Sequence, residues 1–131
     1  MIEAAMVEFS KQVVHWRDGA EEDWAVAIEL VESGRIRHGL FFAHLSLEKT
    51  LKALICKNIG ELAPPIHNLV RLKEKAGITL NDSQVDLLAE VNEFNIEGRY
   101  PELSLPLPLN DEARNYLRKI SELLTCLNRL F

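Results

Sequence analysis

The sequence predicts an all-α fold, an antiparallel up-and-down bundle of four to five helices, and three observations carry that prediction. Apolar residues recur at intervals of three and four almost throughout the 131-residue chain. No stretch alternates apolar and polar residues as a half-buried strand would. Gly34, Gly60, Pro64-Pro65, Gly77 and Asn81 punctuate the helical pattern with residues that cap or stop helices.

Taken in order, the first long helix is expected over Val14 to Glu32, with Trp24, Ile28 and Val31 on one face. Gly34 follows as a left-handed cap. Met1 to Gln12 either extends this helix or forms a separate turn. A second helix from Ile36 to Lys57 ends near Gly60. Pro64-Pro65 then stops one element and starts another, because proline suits a first helical turn and not an interior. That places a third helix from Ile66 to Ala76, closed by Gly77. The fourth has the clearest start: Asn81 as N-cap, Gln84 reaching back as capping-box partner, and Leu80 against Val85 as a hydrophobic staple. It runs from Asp82 to Ile96, with Val85, Leu88, Val91 and Asn92 inward and Gly98 as its end. Pro101, Pro106 and Pro108 make the stretch from Arg99 to Leu109 an extended connection. The last helix starts at Asn110 or Asp111 and runs to the C-terminus, with Ala113, Tyr116, Leu117, Ile120, Leu123, Leu124, Leu127 and Leu130 as its apolar stripe.

A 131-residue chain with 47% hydrophobic content is expected to form one domain over residues 1–131. Fifteen Lys and Arg against twenty Asp and Glu give a net charge of −5, which argues against broad adhesion to phosphate backbones or anionic lipid but allows a local basic pocket. Glu3, Glu8 and Lys11 interrupt the opening stretch, so it does not read as a signal peptide. Cys56 and Cys126 then read as reduced packing thiols of a cytoplasmic protein. No apolar run approaches the ~18 residues that span a bilayer.

The chemistry concentrates in the second helix. At ~3.6 residues per turn, His44, Glu48 and Lys52 stack above one another between Leu40, Phe41, Leu47, Leu51 and Ile55. An unpaired buried carboxylate costs several kcal/mol, so Glu48 calls for a cation, either Lys52 or one brought from elsewhere in the chain. In one reading this row is an internal network, with Glu48 paired to Lys52 at the favoured i, i+4 spacing. In the other it lines a cleft where His44 and Lys52 meet an anionic group while Glu48 orients them or accepts a sugar hydroxyl. His67-Asn68 either caps and braces the third helix or touches a ligand. Arg99-Tyr100-Pro101 offers a guanidinium for phosphate and a ring for stacking on a base, or a salt bridge from Arg99 to Glu48 or Glu97 with Tyr100 packed beneath the loop. Arg71, Lys73 and Lys75 read as a solvated face, and Trp16 and Trp24 as core or interface anchors. The four histidines, His15, His38, His44 and His67, lack zinc-type spacing, so no metal site and no cofactor are expected. Neither a phosphate-binding glycine loop nor a nucleophile elbow is present.

The ordered set Phe42-Ala43-His44, Glu48-Lys49, Leu51-Lys52-Ala53-Leu54, Pro64-Pro65 with His67-Asn68-Leu69, then Asn95-x-Glu97-x-Arg99-Tyr100-Pro101, resembles the HEPN domain family from about Trp24 to the end of the chain. The resemblance implies an antiparallel helical bundle, usually dimeric, in a family linked to nucleotide binding, RNA cleavage and partnership with minimal nucleotidyltransferases in toxin–antitoxin operons. Members that cleave RNA carry an arginine followed four to six residues later by a histidine, and the matching arginine here is Arg99. Four, five and six intervening residues lead instead to Ser104, Leu105 and Pro106. Arg37 and His44 have the spacing but lie in the second helix, away from the motif's place. Histidine is the usual proton-transfer group near neutral pH, so its lack favours binding over hydrolysis. The implied protein is a homodimer that binds a nucleotide or RNA through His44, Glu48, Lys52, His67, Asn68, Arg99 and Tyr100 and acts with a minimal nucleotidyltransferase. Two alternatives stand beside it: a metal-independent endoribonuclease toxin with Arg99 as its best catalytic candidate, and a helical adaptor that only dimerises.

Overall fold

A computed structural model describes residues 2–99 and 108–131, with side chains over 9–95 and 108–131. The described residues form an all-α bundle of five helices: α1 (Ile2–Glu32), α2 (Ile36–Ile59), α3 (Leu69–Ala76), α4 (Asp82–Arg99) and α5 (Asn110–Asn128). No strand occurs among them. α2 is the central element and touches each of the other four.

That position follows from its composition, since α2 carries buried Leu40, Leu47, Leu51, Leu54 and Ile55 on more than one face. A helix apolar over most of its circumference is stable only when surrounded. Ala27 and Val31 of α1, Leu72 of α3, Leu88 and Val91 of α4, and Ile120, Leu123 and Leu127 of α5 close around it. α1 and α2 run antiparallel: Lys49 pairs with Asp23 at 2.7 Å, and Gly39 lies against Ala27 and Val31.

After α2 the chain doubles back. Asn58 Nδ2 donates to the Ala76 carbonyl at 3.1 Å and His67 meets Glu48, so α3 starts beside the middle of α2 and ends beside its C-terminus. α4 returns along this pair, and α5 closes the bundle with Tyr116 edge-on to Phe94, ring centroids 5.1 Å apart. At the far end of α5, Lys57 Nζ donates to the Leu130 carbonyl at 3.0 Å. No helix among the described residues is long and apolar enough to cross a membrane.

Helix boundaries match the sequence where local chemistry sets them. Gly34, Gly60 and Gly77 take φ of 85°, 70° and 70°, the left-handed backbone that releases a chain from a helix. At the start of α4, Gln84 N donates to Asn81 Oδ1 at 2.8 Å and Asn81 N to Gln84 Oε1 at 3.0 Å, a reciprocal capping box. Asn81→Ala removes the acceptor for an otherwise unpaired amide and is expected to cost about 1 kcal/mol in urea unfolding; a loss below a few tenths would deny the cap its role.

Other boundaries differ. α1 extends back to Ile2, which joins the opening stretch to the first helix. The third helix begins at Leu69 and not at Ile66, because Asn68 supplies the cap that proline cannot, and 60–68 remains a connection. α4 continues through Gly98 to Arg99, since glycine ends a helix only where its backbone turns left-handed. α5 stops at Asn128, leaving Leu130 beyond the helix and 44% exposed. The expected extended connection over Pro101 and Pro106 lies outside the described residues.

Candidate functional site

The polar row of α2 is buried. His44 is 0%, Glu48 4% and Lys52 5% exposed, in a core whose other buried polar side chains, Ser46 and Thr50, donate back to carbonyls of α2 itself. Removing an acid and an amine from water is tolerated only when each finds a partner, and both carboxylate oxygens do. Lys52 Nζ donates to Glu48 Oε2 at 3.2 Å, the i, i+4 pair of the sequence reading. The other oxygen, Oε1, accepts from His67 Nδ1 at 3.0 Å. His67 is therefore the group brought from elsewhere to complete the row.

Lys52 has a second neighbour that the sequence did not reveal. Its ammonium lies 5.2 Å from the centroid of the Trp16 ring, a cation–π contact from α1. With carboxylate on one side and indole on the other, Lys52 belongs to the interior of the bundle. No periodicity signal could have paired these residues, which lie on different helices.

Around His67 the backbone is held at several points. His44 Nε2 is 3.1 Å from the His67 carbonyl oxygen, which can only accept, so this nitrogen of His44 carries the proton. His44 Nδ1 stands 3.9 Å from Glu48 Oε1. Asn68 Oδ1 accepts from Arg71 N at 3.1 Å and caps α3. Asn92 Oδ1, from α4, accepts from Leu69 N at 2.8 Å, and its Nδ2 stands 3.4 Å from Asn68 Oδ1. Two of the free amides that open any helix are thus satisfied by asparagines from two elements.

One member of this network faces outward. The His67 side chain is 48% exposed while that of Glu48 is 6% exposed. The ring edge carrying Nδ1 meets the carboxylate, and the opposite edge, with Nε2, points away from it.

The structure thus brings together His44, Glu48, Lys52, His67 and Asn68, and adds Trp16 and Asn92. The side chain of Arg99 and the whole of Tyr100 lie outside the described residues, as do the side chain of Glu97 and Pro101. The α4 backbone does extend to Arg99, seven residues after Asn92. Seven residues at ~1.5 Å and ~100° each put Arg99 about 10 Å further along and on the same helix face as Asn92.

Three surface grooves lie elsewhere among the described residues. One of about 680 Å³ runs between α1 and α5 past Arg17, Trp24 and Asn128, one of about 590 Å³ between α4 and α5 past Gln84, Glu90 and Arg118, and one of about 690 Å³ between α1 and the start of α2 past Leu30, His38 and Phe42. None of the three is lined by the row, and Glu48 and Lys52, both buried, act from beneath the surface and not as the walls of an open cleft. Cys56 is buried and Cys126 partly so, both as free thiols, and burial raises the Cys56 thiol above its ordinary range.

The HEPN domain model matches residues 13–130 of the chain. Among solved structures, the crystal structure of TT1696 from Thermus thermophilus is similar, with 17% sequence identity, a TM-score of 0.79, and coverage of 92% of this chain and 98% of that one. At that identity the likeness speaks to the fold alone. No curated protein matches the sequence.

Proposed function

The chain belongs to the HEPN domain family, and from that premise we propose that it is a cytoplasmic nucleotide- or RNA-binding homodimer, one domain per chain, acting with a minimal nucleotidyltransferase in a toxin–antitoxin-type pair. The observation that carries the binding part of this reading is the buried Glu48 carboxylate, which holds the half-exposed His67 at the mouth of an otherwise internal charge network. A bundle that needed only packing would fill these α2 positions with leucine, because a buried ion pair is often no more stable than apolar residues of the same volume.

The proposed roles divide by position. Arg99 holds phosphate and Tyr100 stacks on a base, while His67 and Asn68 meet the ligand from the start of α3. Glu48, Lys52 and His44 fix His67 from below. Binding is proposed over cleavage because no histidine stands four to six residues after Arg99.

Calorimetric titration with ATP, GTP and a short RNA tests this directly. Wild-type protein is expected to bind at least one of them, and Arg99→Ala to bind it about tenfold more weakly, the loss for one charge-assisted phosphate contact. Silence toward all three ligands removes the binding role and leaves a bundle that only dimerises. Sedimentation checks the dimer separately.

A further inference from the structure

We infer that His67 presents the Nε2 lone pair of a fixed tautomer to its ligand, and so receives a hydrogen-bond donor, a sugar hydroxyl or a base amino group, and not the phosphate. This rests on the nucleotide-binding reading and assigns which end of the nucleotide lies at the start of α3.

The geometry decides the tautomer. Glu48 Oε1 only accepts, so the His67 nitrogen 3.0 Å away, Nδ1, must carry a hydrogen. A neutral imidazole has one N–H, so the lone pair then falls on Nε2, at the far edge of the ring. The other carboxylate oxygen, Oε2, is already served by the Lys52 ammonium at 3.2 Å, so what Oε1 takes from His67 is one N–H hydrogen bond. Phosphate oxygens are acceptors and have nothing to offer a lone pair. Ribose hydroxyls and exocyclic amines do.

The ring is also held in place before any ligand arrives. Its backbone carbonyl is fixed by His44 Nε2 at 3.1 Å, and the next two residues are fixed by the Asn68 cap and by Asn92. Tethering the 60–68 connection to α2 is already accomplished by the His44 bond. The Glu48 bond adds orientation of the ring, and an oriented acceptor at a half-exposed position loses little freedom on binding. His67 is then the contact residue and Glu48 a positioning residue.

The experiment has two arms. In the first, two-bond 1H–15N correlations on unliganded protein report which His67 nitrogen carries the proton. The Nδ1–H pattern is expected in wild type, and a mixture in Glu48→Gln, whose amide can donate as well as accept. An Nε2–H in wild type, alone or together with Nδ1–H, overturns the inference whatever the ligand; a pure Nδ1–H pattern in Glu48→Gln denies Glu48 the positioning role.

In the second arm, binding of ATP and GTP is compared with their 2′-deoxy and 3′-deoxy forms and with ITP, which lacks the amino group. One deletion is expected to weaken binding about two- to tenfold, the range for a single neutral hydrogen bond, and His67→Ala to abolish that difference. Loss on removing a hydroxyl assigns the sugar, and loss on removing the amine assigns the base. Equal binding of every analogue overturns the inference while leaving nucleotide binding intact. Binding of none overturns both.

Discussion

Glu48→Ala is expected to destabilise the protein by about 3–5 kcal/mol, the range for removing one partner of a buried ion pair. The substitution leaves the Lys52 ammonium 5% exposed between the apolar core and the Trp16 ring with no counter-charge. It also removes the acceptor of His67 Nδ1, and with it one tie between α2 and the start of α3. Urea unfolding followed by far-UV circular dichroism measures the loss.

The diagnostic comparison is the double variant Glu48→Met with Lys52→Met. It removes both charges and keeps most of the volume, so it is expected to recover most of the stability lost by either single change. Additive losses would mean that the two side chains do not depend on one another, against the 3.2 Å contact between them. A double variant that folds well but no longer binds nucleotide would separate what the row does for stability from what it does for His67.

Much of the fold was legible because the signals that set it are local. The capping box needs only Asn81 and Gln84 three residues apart, and the same pair forms both bonds in the structure. Gly34 and Gly77 end helices where their sequence neighbours run out of apolar period. The Glu48–Lys52 pair was legible for the same reason, since i, i+4 spacing is a property of one helix.

What was not legible depends on chain reversal. Pro64-Pro65 looked like a helix start because proline suits a first turn, yet Asn68 makes the better cap, with a side chain that satisfies an amide. The contact between His67 and Glu48 spans nineteen residues and a doubled-back connection, and nothing in the periodicity of either segment specifies it. The requirement was visible even so: a carboxylate among leucines called for a partner, and the candidates raised were Lys52 and Arg99. Asn92 was placed on the inner face, but that its oxygen would serve an α3 amide follows only from the packing of two helices.

Gly39→Ala provides the second large effect, and its sign is a contest between two terms. Alanine favours a helix interior over glycine by about 1 kcal/mol. At position 39 its Cβ would fall 2.5 Å from Val31 Cγ2, 3.0 Å from Val31 N and 3.1 Å from the Ala27 carbonyl oxygen. Two of these atoms are backbone and the third belongs to a stiff β-branched side chain, so none can yield without parting α1 from α2. Overpacking of this kind costs about 1–3 kcal/mol even in cores that relax, so Gly39→Ala is expected to lose stability despite its helix propensity, and Gly39→Leu to lose considerably more. Gly19 is the control, because it lies in α1 on the other side of the same α1–α2 interface, but an added Cβ there meets Lys49 Cδ at 3.2 Å, on a long flexible chain that can move aside. Gly19→Ala should therefore keep most of its propensity gain. If the two alanine variants unfold at the same urea concentration, close approach at Gly39 is not what sets the spacing of α1 and α2, the spacing that holds Trp16 against Lys52.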